Sequence, residues 1–248
     1  MSILSKLFGR HATEVLQELS VLQVDVHSHF IPGIDDGAKT LEDSLTLIKA
    51  MSDFGYRKVI TTPHVMSDFF RNSPETILGG LDPVRAALNE QGYSIEIDAA
   101  AEYYYDYELE SKIGKEPLLT FGERYLLFEV SYVNAPDNLD QLIFNLQSNG
   151  YQPVLAHPER YPFWFRDFSV FEKLKDKGVL FQLNINSLTG HYSPATKKVA
   201  EQMIDKNYYE FLGSDCHHYG HIELMKKVRQ EKYLGKLLSS GILRNQLL

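Results

Sequence analysis

The chain has 248 residues, 44% hydrophobic and 23% charged; this is the balance of one folded domain with a sizeable core, and it excludes disordered and collagen-like architectures. A formal charge of -8 speaks against a protein built to hold nucleic acid, and a single cysteine, Cys216, excludes an internal disulfide, a cysteine-rich zinc site and an iron–sulfur cluster. No apolar run reaches the roughly 18–20 residues of a membrane span, and the opening MSILSKLFGRHATEVL lacks the apolar core and cleavage site of a secretory signal, so a cytoplasmic location is expected.

In chain order, residues 1–20 read as an N-terminal extension. Apolar residues recur there at helical spacing from Ile3 to Leu19, which suits packing on the domain. Residues 21–248 read as one domain, with no internal repeat, low-complexity tract or long linker. Strand-like runs fall at 22–26, 58–62, 95–100, 125–130, 153–156, 179–185 and 209–213. Helical spacing falls between them at 41–54, 74–91, 137–149, 168–177 and 194–206, and after them at 222–239. Pro74 and Pro194 suit first-turn positions, and Gly55, Gly150 and Gly178 suit helix ends. Strands alternating with helices predict a parallel sheet covered by helices, either open or closed into a barrel.

The polar residues favour closure. His27-Ser28-His29 follow the first strand, His64 the second and Glu102 the third; Glu129 ends the fourth, His157 follows the fifth, and Asp215 and His217 follow the seventh. The carboxyl ends of strands converge on one mouth in a barrel but are strung along an edge in an open sheet. One histidine at a strand end is as readily a satisfied polar residue as a ligand. Five imidazoles and three carboxylates gathered after separate strands would need partners or a metal to offset their desolvation.

A donor set of nitrogen and oxygen without thiolate suits manganese, iron or zinc. Eight donors exceed the needs of one ion, so two or three divalent ions are expected, with Glu102 placed to bridge a pair. Such ions acidify a shared water and neutralise the oxygens of an in-line displacement, which is the machinery of phosphate ester hydrolysis.

Arg160, three residues after His157, is close enough to reach over the same mouth and grip a phosphoryl group; the competing reading is a surface arginine paired with Glu159. Asp35-Asp36-Gly37 offers a further ligand or a proton donor to the leaving group, or else a turn or the cap of the helix starting near Thr40. The tyrosines from Tyr103 to Tyr107 read as packing under a loop in preference to lining a groove. SDCHHYGHIE lacks the arginine of a thiol-phosphatase loop, so Cys216 reads as a space filler. His11 and His191 read as solvated, while His218 and His221, beside the last ligand pair, stay undecided.

DVHSHFIPGIDDGAKT, TTPHV, AAEYY, LLFEV, LAHPERY, LNINSLTG and GSDCHH, in this order, resemble the CpsB/CapC type of bacterial protein-tyrosine phosphatase in the PHP (polymerase and histidinol phosphatase) superfamily. The resemblance spans residues 22–220. It implies a distorted seven-stranded (β/α) barrel and a trinuclear, often manganese-loaded centre held by His27, His29, His64, Glu102, Glu129, His157, Asp215 and His217. It implies that Arg160 holds phosphate and that Asp36 lies near the leaving group or third metal. The implied substrate is the phosphotyrosine-bearing tail of a bacterial tyrosine kinase of capsule or exopolysaccharide production. The basic residue that some members carry after the SDxH motif has no counterpart in His217-His218-Tyr219-Gly220-His221. The rival expectations are a small-molecule phosphatase of the histidinol phosphate kind, a nuclease, and a non-catalytic metal-binding module that docks on a kinase.

Overall fold

The computed structural model describes residues 16–248, so His11 and most of the Ile3–Leu19 segment lie outside the described residues. Helices and strands alternate as β1 (Val24–Asp25), α1 (Leu41–Asp53), β2 (Lys58–Thr61), β3 (His64–Val65), α2 (Pro74–Glu90), β4 (Glu96–Ala99), β5 (Glu102–Tyr104), α3 (Tyr107–Lys112), β6 (Tyr125–Glu129), α4 (Leu139–Ser148), β7 (Gln152–Ala156), α5 (Ser169–Asp176), β8 (Leu180–Asn184), α6 (Pro194–Asp205), β9 (Phe211–Gly213), α7 (Tyr219–Val228) and α8 (Lys232–Leu238). None of these helices is long and apolar enough to cross a membrane.

Local chemistry sets the helix ends. Thr40 and Asp43 form a reciprocal capping box on α1, which buries Leu47, Ile48 and Met51. This cap is separate from the Asp35-Asp36 pair, so the cap reading of those two residues does not hold. Ser73 and Ser193 cap α2 and α6, with Pro74 and Pro194 in their first turns. The single helix expected over 222–239 is two helices. Glu231 adopts extended backbone between them and turns its carboxylate to Lys197 Nζ at 2.8 Å. α3 is too short to show a period and was not expected; Asp106 caps it by accepting from Glu108 N and Leu109 N.

The strands are all parallel and form two sheets, ordered β1-β2-β4 and β3-β5-β6-β7-β8-β9. The expected strands at 58–62 and 95–100 each continue into a second short segment, β3 or β5, that pairs in the other sheet. Among the described residues this makes nine segments where seven runs were expected. Pro63, which has no N–H for the ladder, lies at the first break. The first and last strands meet. His29 N donates to Cys216 O at 3.0 Å, Asp215 N donates to His27 O at 2.8 Å, and the Asp25 carboxylate accepts from Ser214 N and Oγ at 2.8 Å each.

The period-two alternation of strands separates two packed regions. On β6, Leu126 and Phe128 join the large core beneath the helices, whereas Leu127 joins a smaller cluster with Val24, Val154, Leu180 and Phe211. On β8, Phe181 and Leu183 pack outward and Leu180 joins the smaller cluster. One step further along that second face stands a polar side chain: Glu129 two residues after Leu127, Gln182 after Leu180, Glu102 after Ala100. The smaller cluster is therefore a floor, and the polar residues stand on it.

Candidate metal centre

All eight side chains singled out at strand ends meet above this floor, and six of them, His27, His29, Glu102, Glu129, His157 and Asp215, are buried. Two of them break the alternation. His157 directly follows Ala156 of the floor, and it adopts a φ of 35°; Asp215 has a φ of 47°. Such backbone is uncommon outside glycine and is retained where the fold over-determines it, commonly at functional sites.

The Glu102 carboxylate lies among four imidazoles. Its Oε2 is 3.1 Å from His27 Nε2, 3.1 Å from His64 Nδ1 and 3.6 Å from His29 Nε2, while Oε1 is 3.0 Å from His157 Nε2. Asp215 Oδ1 lies 3.4 Å from His27 Nε2 and 3.5 Å from each of His29 Nε2 and His217 Nδ1. Glu129 Oε1 stands 3.4 Å from His64 Nδ1. At the outer edge the half-exposed Asp36 places Oδ1 3.3 Å from His217 Nε2 and 3.5 Å from His64 Nε2. These donors form four overlapping groups, His29/Asp36/His64/His217, His27/His29/Asp215, His27/Glu102/His157 and His64/Glu102/Glu129.

Outer partners orient the rings. His27 Nδ1 donates to Gln182 Oε1 and His29 Nδ1 to Asp35 Oδ2, each at 2.8 Å, so both Nε2 atoms face inward, 3.3 Å apart. Holding a ligand histidine by its other nitrogen is the usual support of a metal site. Two glycines let these rings approach. A Cβ on Gly37 would lie 2.2 Å from His29 O, and one on Gly213 would lie 2.6 Å from both His27 Cβ and Gln182 Nε2.

The donors fit a cation. Buried Glu102 Oε2 and His64 Nδ1 find no hydrogen bond of acceptable geometry, although each has an oppositely charged partner close by. Without a cation the carboxylates retain protons on the imidazoles. Burial would lower the pKa of His27 and His29, but the carboxylates Glu102, Asp215 and Asp35 outweigh it and raise both. His64 rises to about 9 against its own burial, through Glu102 and Glu129. Glu102 and Asp215 fall well below the carboxylate range, because His27 and the neighbouring imidazoles overcome burial. His157 differs: burial and the Arg160 charge lower its pKa, although Glu102, 3.0 Å from its Nε2, opposes them.

Arg160 closes one wall of the cavity of about 370 Å³ over the cluster. Its Nη1 donates to Asp215 Oδ2 at 2.7 Å, and its guanidinium sits 4.1 Å from the Tyr192 ring centroid and 4.9 Å from that of Tyr132. The surface pair with Glu159 does not form. The turn at residues 158–160 carries Glu159 into the interior, where its carboxylate accepts from Ser187 Oγ, Tyr209 OH and Asn184 N. Burial raises Glu159 to about 7.

Of the undecided histidines, His221 lines the cavity; burial lowers it to about 4, and the neutral ring accepts from His217 N. His218 caps α7, and His191 is exposed against Tyr192. Cys216 is wholly buried in the large core. Tyr103 is buried, accepting from Leu119 N, whereas Tyr107 is exposed.

Sequence reasoning missed Gln182, Asn184, Tyr132 and Tyr192. Asn184 Nδ2 donates to both Asp215 Oδ2 and Tyr192 OH at 2.7 Å, and Tyr132 OH lies 3.3 Å from His157 Nδ1. The readable signal for the first two was two amides on one face of LFQLN, an otherwise apolar strand. The tyrosines lie in loops and carried none.

A model of capsular polysaccharide synthesis proteins of the CpsB/CapC family matches residues 23–237. The tyrosine-protein phosphatase YwqE of Bacillus subtilis is 30% identical over 195 residues, covering 78% of this chain and 77% of that one. The tyrosine-protein phosphatase CpsB of Streptococcus pneumoniae is 28% identical over 200 residues, covering 78% and 82%. A solved structure from a study of YwqE and CpsB, described as metal-dependent tyrosine phosphatases, superposes with a TM-score of 0.76 at 27% identity, over 90% of this chain and 94% of that one. The histidinol phosphate phosphatase of Lactococcus lactis shares the fold alone, with a TM-score of 0.52 at 13% identity, over 84% and 93%. With 215 of its residues inside the family match, the chain belongs to the CpsB/CapC family.

Proposed function

We propose that this protein is a metal-dependent protein-tyrosine phosphatase that removes phosphate from the tyrosine-rich tail of a kinase serving capsule or exopolysaccharide production, in the cytoplasm. The observation that carries the reading is Glu102 Oε2, buried without a hydrogen bond among three imidazole nitrogens and roofed by a cavity that Arg160 lines. Counting each broken pass as one strand, the fold is a distorted seven-stranded barrel. Two or three divalent ions, manganese foremost and iron or zinc as alternatives, would be held by His27, His29, His64, Glu102, Glu129, His157, Asp215 and His217. Such ions supply an acidified water and positive charge for phosphoryl oxygens.

The chain's own groups do the rest. Arg160 offers its remaining N–H donors to the phosphoryl group, and the two flanking tyrosine rings limit its loss of entropy on binding. His217, chiefly through its hydrogen bond, holds Asp36 well below the carboxylate range. Asp36, at the outer edge between His64 and His217, would serve as a further ligand or stand near the leaving group. Phenolate is a good enough leaving group to need little acid help.

The test combines metal analysis of the purified protein with turnover of phosphotyrosine peptide, histidinol phosphate and single-stranded DNA. Co-purifying divalent ions, activity that a chelator removes, and preference for the phosphotyrosine peptide are expected. Vanadate-sensitive turnover that survives metal removal would overturn the reading.

A further inference from the structure

Three strongly exposed apolar side chains stand on one side of the mouth, while others, such as Phe144 on α4 and Leu247 at the C-terminal end, stand apart from them. Val133, Phe69 and Tyr107 are 81%, 77% and 73% exposed; the first two stand on the loops that follow β6 and β3, and Tyr107 opens α3 just after β5, three neighbouring strands. These loops are tied together. Ser67 N donates to Asp106 Oδ2 at 2.9 Å, Tyr105 N to Glu129 O at 2.9 Å and Tyr105 OH to Asp137 O at 3.1 Å. Between α3 and the loop after β6 they enclose a groove of about 350 Å³, lined by Tyr105, Tyr107, Glu110, Ser131 and Asp137 among others. Ser131 lines this groove and the next residue, Tyr132, lines the metal cavity, so the two concavities adjoin.

The groove is acidic. Glu110 accepts from Tyr105 OH at 2.9 Å, and among the described residues neither Glu110 nor Asp137 has a cation within ion-pair distance; the nearby Lys112 is taken by Glu108 and Glu116. Aromatic walls and carboxylates without a cation partner beside a phosphoryl site match a polypeptide, since a small phosphate ester would fill only the inner cavity.

We infer that this groove seats the stretch of substrate polypeptide next to the phosphotyrosine, with an apolar side chain against Tyr107 and a lysine or arginine at Glu110 and Asp137. The inference rests on the phosphatase reading and adds a sequence preference to it. The experiment uses the manganese-loaded protein, para-nitrophenyl phosphate, and two phosphotyrosine peptides differing only in lysine or glutamate beside the tyrosine. The lysine peptide should be favoured by about ten-fold in kcat/KM, mostly through KM. Tyr107→Ala should lower kcat/KM about five-fold on both peptides, and the double variant Glu110→Gln/Asp137→Asn should erase the charge preference. Turnover of para-nitrophenyl phosphate should be unchanged in both variants, which also reports their folding. Absence of any charge preference, or equal losses on peptide and para-nitrophenyl phosphate, would overturn the inference while leaving the phosphatase reading intact. A change in sedimentation of the variants with selectivity unaltered would make the rim a contact between copies of this chain, and would also overturn it. No turnover of any phosphate ester by the loaded wild type would instead remove the reading on which it rests.

Discussion

Floor and mouth share the same strand faces, yet they are held by opposite physics. Leu127, Val154, Leu180 and Phe211 are 8% exposed or less and lose nothing polar on burial. Two residues further along the same faces, Glu102, Glu129 and Gln182 are as deeply buried, and each is a group that burial penalises. The floor is stable by itself, through packing and the removal of apolar area from water. The mouth is stable only as a set, because each imidazole there faces a carboxylate. Depth along a strand, not the face, separates scaffold from chemistry here.

Removing charge from the mouth is expected to have the largest effect. Glu102→Gln takes a carboxylate from among four imidazoles and should cut phosphotyrosine turnover at least about 100-fold and lower the metal content, while circular dichroism stays native. Removing volume from the floor should do the converse. Leu127→Ala should cost about 2–5 kcal/mol in denaturant unfolding, with metal content and turnover per folded molecule nearly kept. A floor variant that loses metal without losing stability would break the division between the two regions.

This division also explains what could be read in the sequence. His27, His29, His64, Glu102, Glu129, His157, Asp215 and His217 were legible because parallel strands bring their carboxyl ends together, so chain position alone fixed their convergence. The breaks after Thr61 and Ala99 were not legible, since KVITTPH and IDAAAEY read as strand throughout and a change of sheet partner is a tertiary event. Glu159 looked like the partner of Arg160 because they are adjacent. One turn of helix then sends one side chain to Ser187 and Tyr209 and the other to Asp215. Tyr132 and Tyr192 reach Arg160 from loops 28 residues before it and 32 after it, a distance over which no local pattern survives.

The ion-pairing of the mouth gives chelated and loaded protein opposite responses to pH. In the chelated protein His64 has its pKa raised from 6.5 to about 9, because Glu102 and Glu129 outweigh burial, and His27 and His29 move the same way. A raised folded-state pKa stabilises fully below 6.5, and the contribution is lost as pH rises through about 9. Unfolding stability of the chelated protein should therefore fall between these values. A bound cation needs the same nitrogens deprotonated, so metal-conferred stability should grow over this range, with protons released on loading at pH 7. Parallel pH profiles for the two forms would show that these imidazoles are not the ligands.

The smallest effect is expected at Cys216, which lies between two candidate ligands, Asp215 and His217, yet belongs to the core. Its side chain is wholly buried, burial pushes the thiol well above its usual range, and its one polar contact is a long 3.8 Å approach to His218 O. A thiol held protonated in apolar surroundings is a poor nucleophile. The main chain at this position, by contrast, ties the fold together, because Cys216 O accepts from His29 N at 3.0 Å and so joins the segment after the last strand to the one after the first. An alanine keeps that carbonyl. Cys216→Ala should thus cost about 1 kcal/mol of stability, leave turnover within about two-fold, and the native thiol should resist iodoacetamide. Loss of turnover comparable to that of Glu102→Gln would move the chemistry from the imidazole and carboxylate cluster to the sulfur.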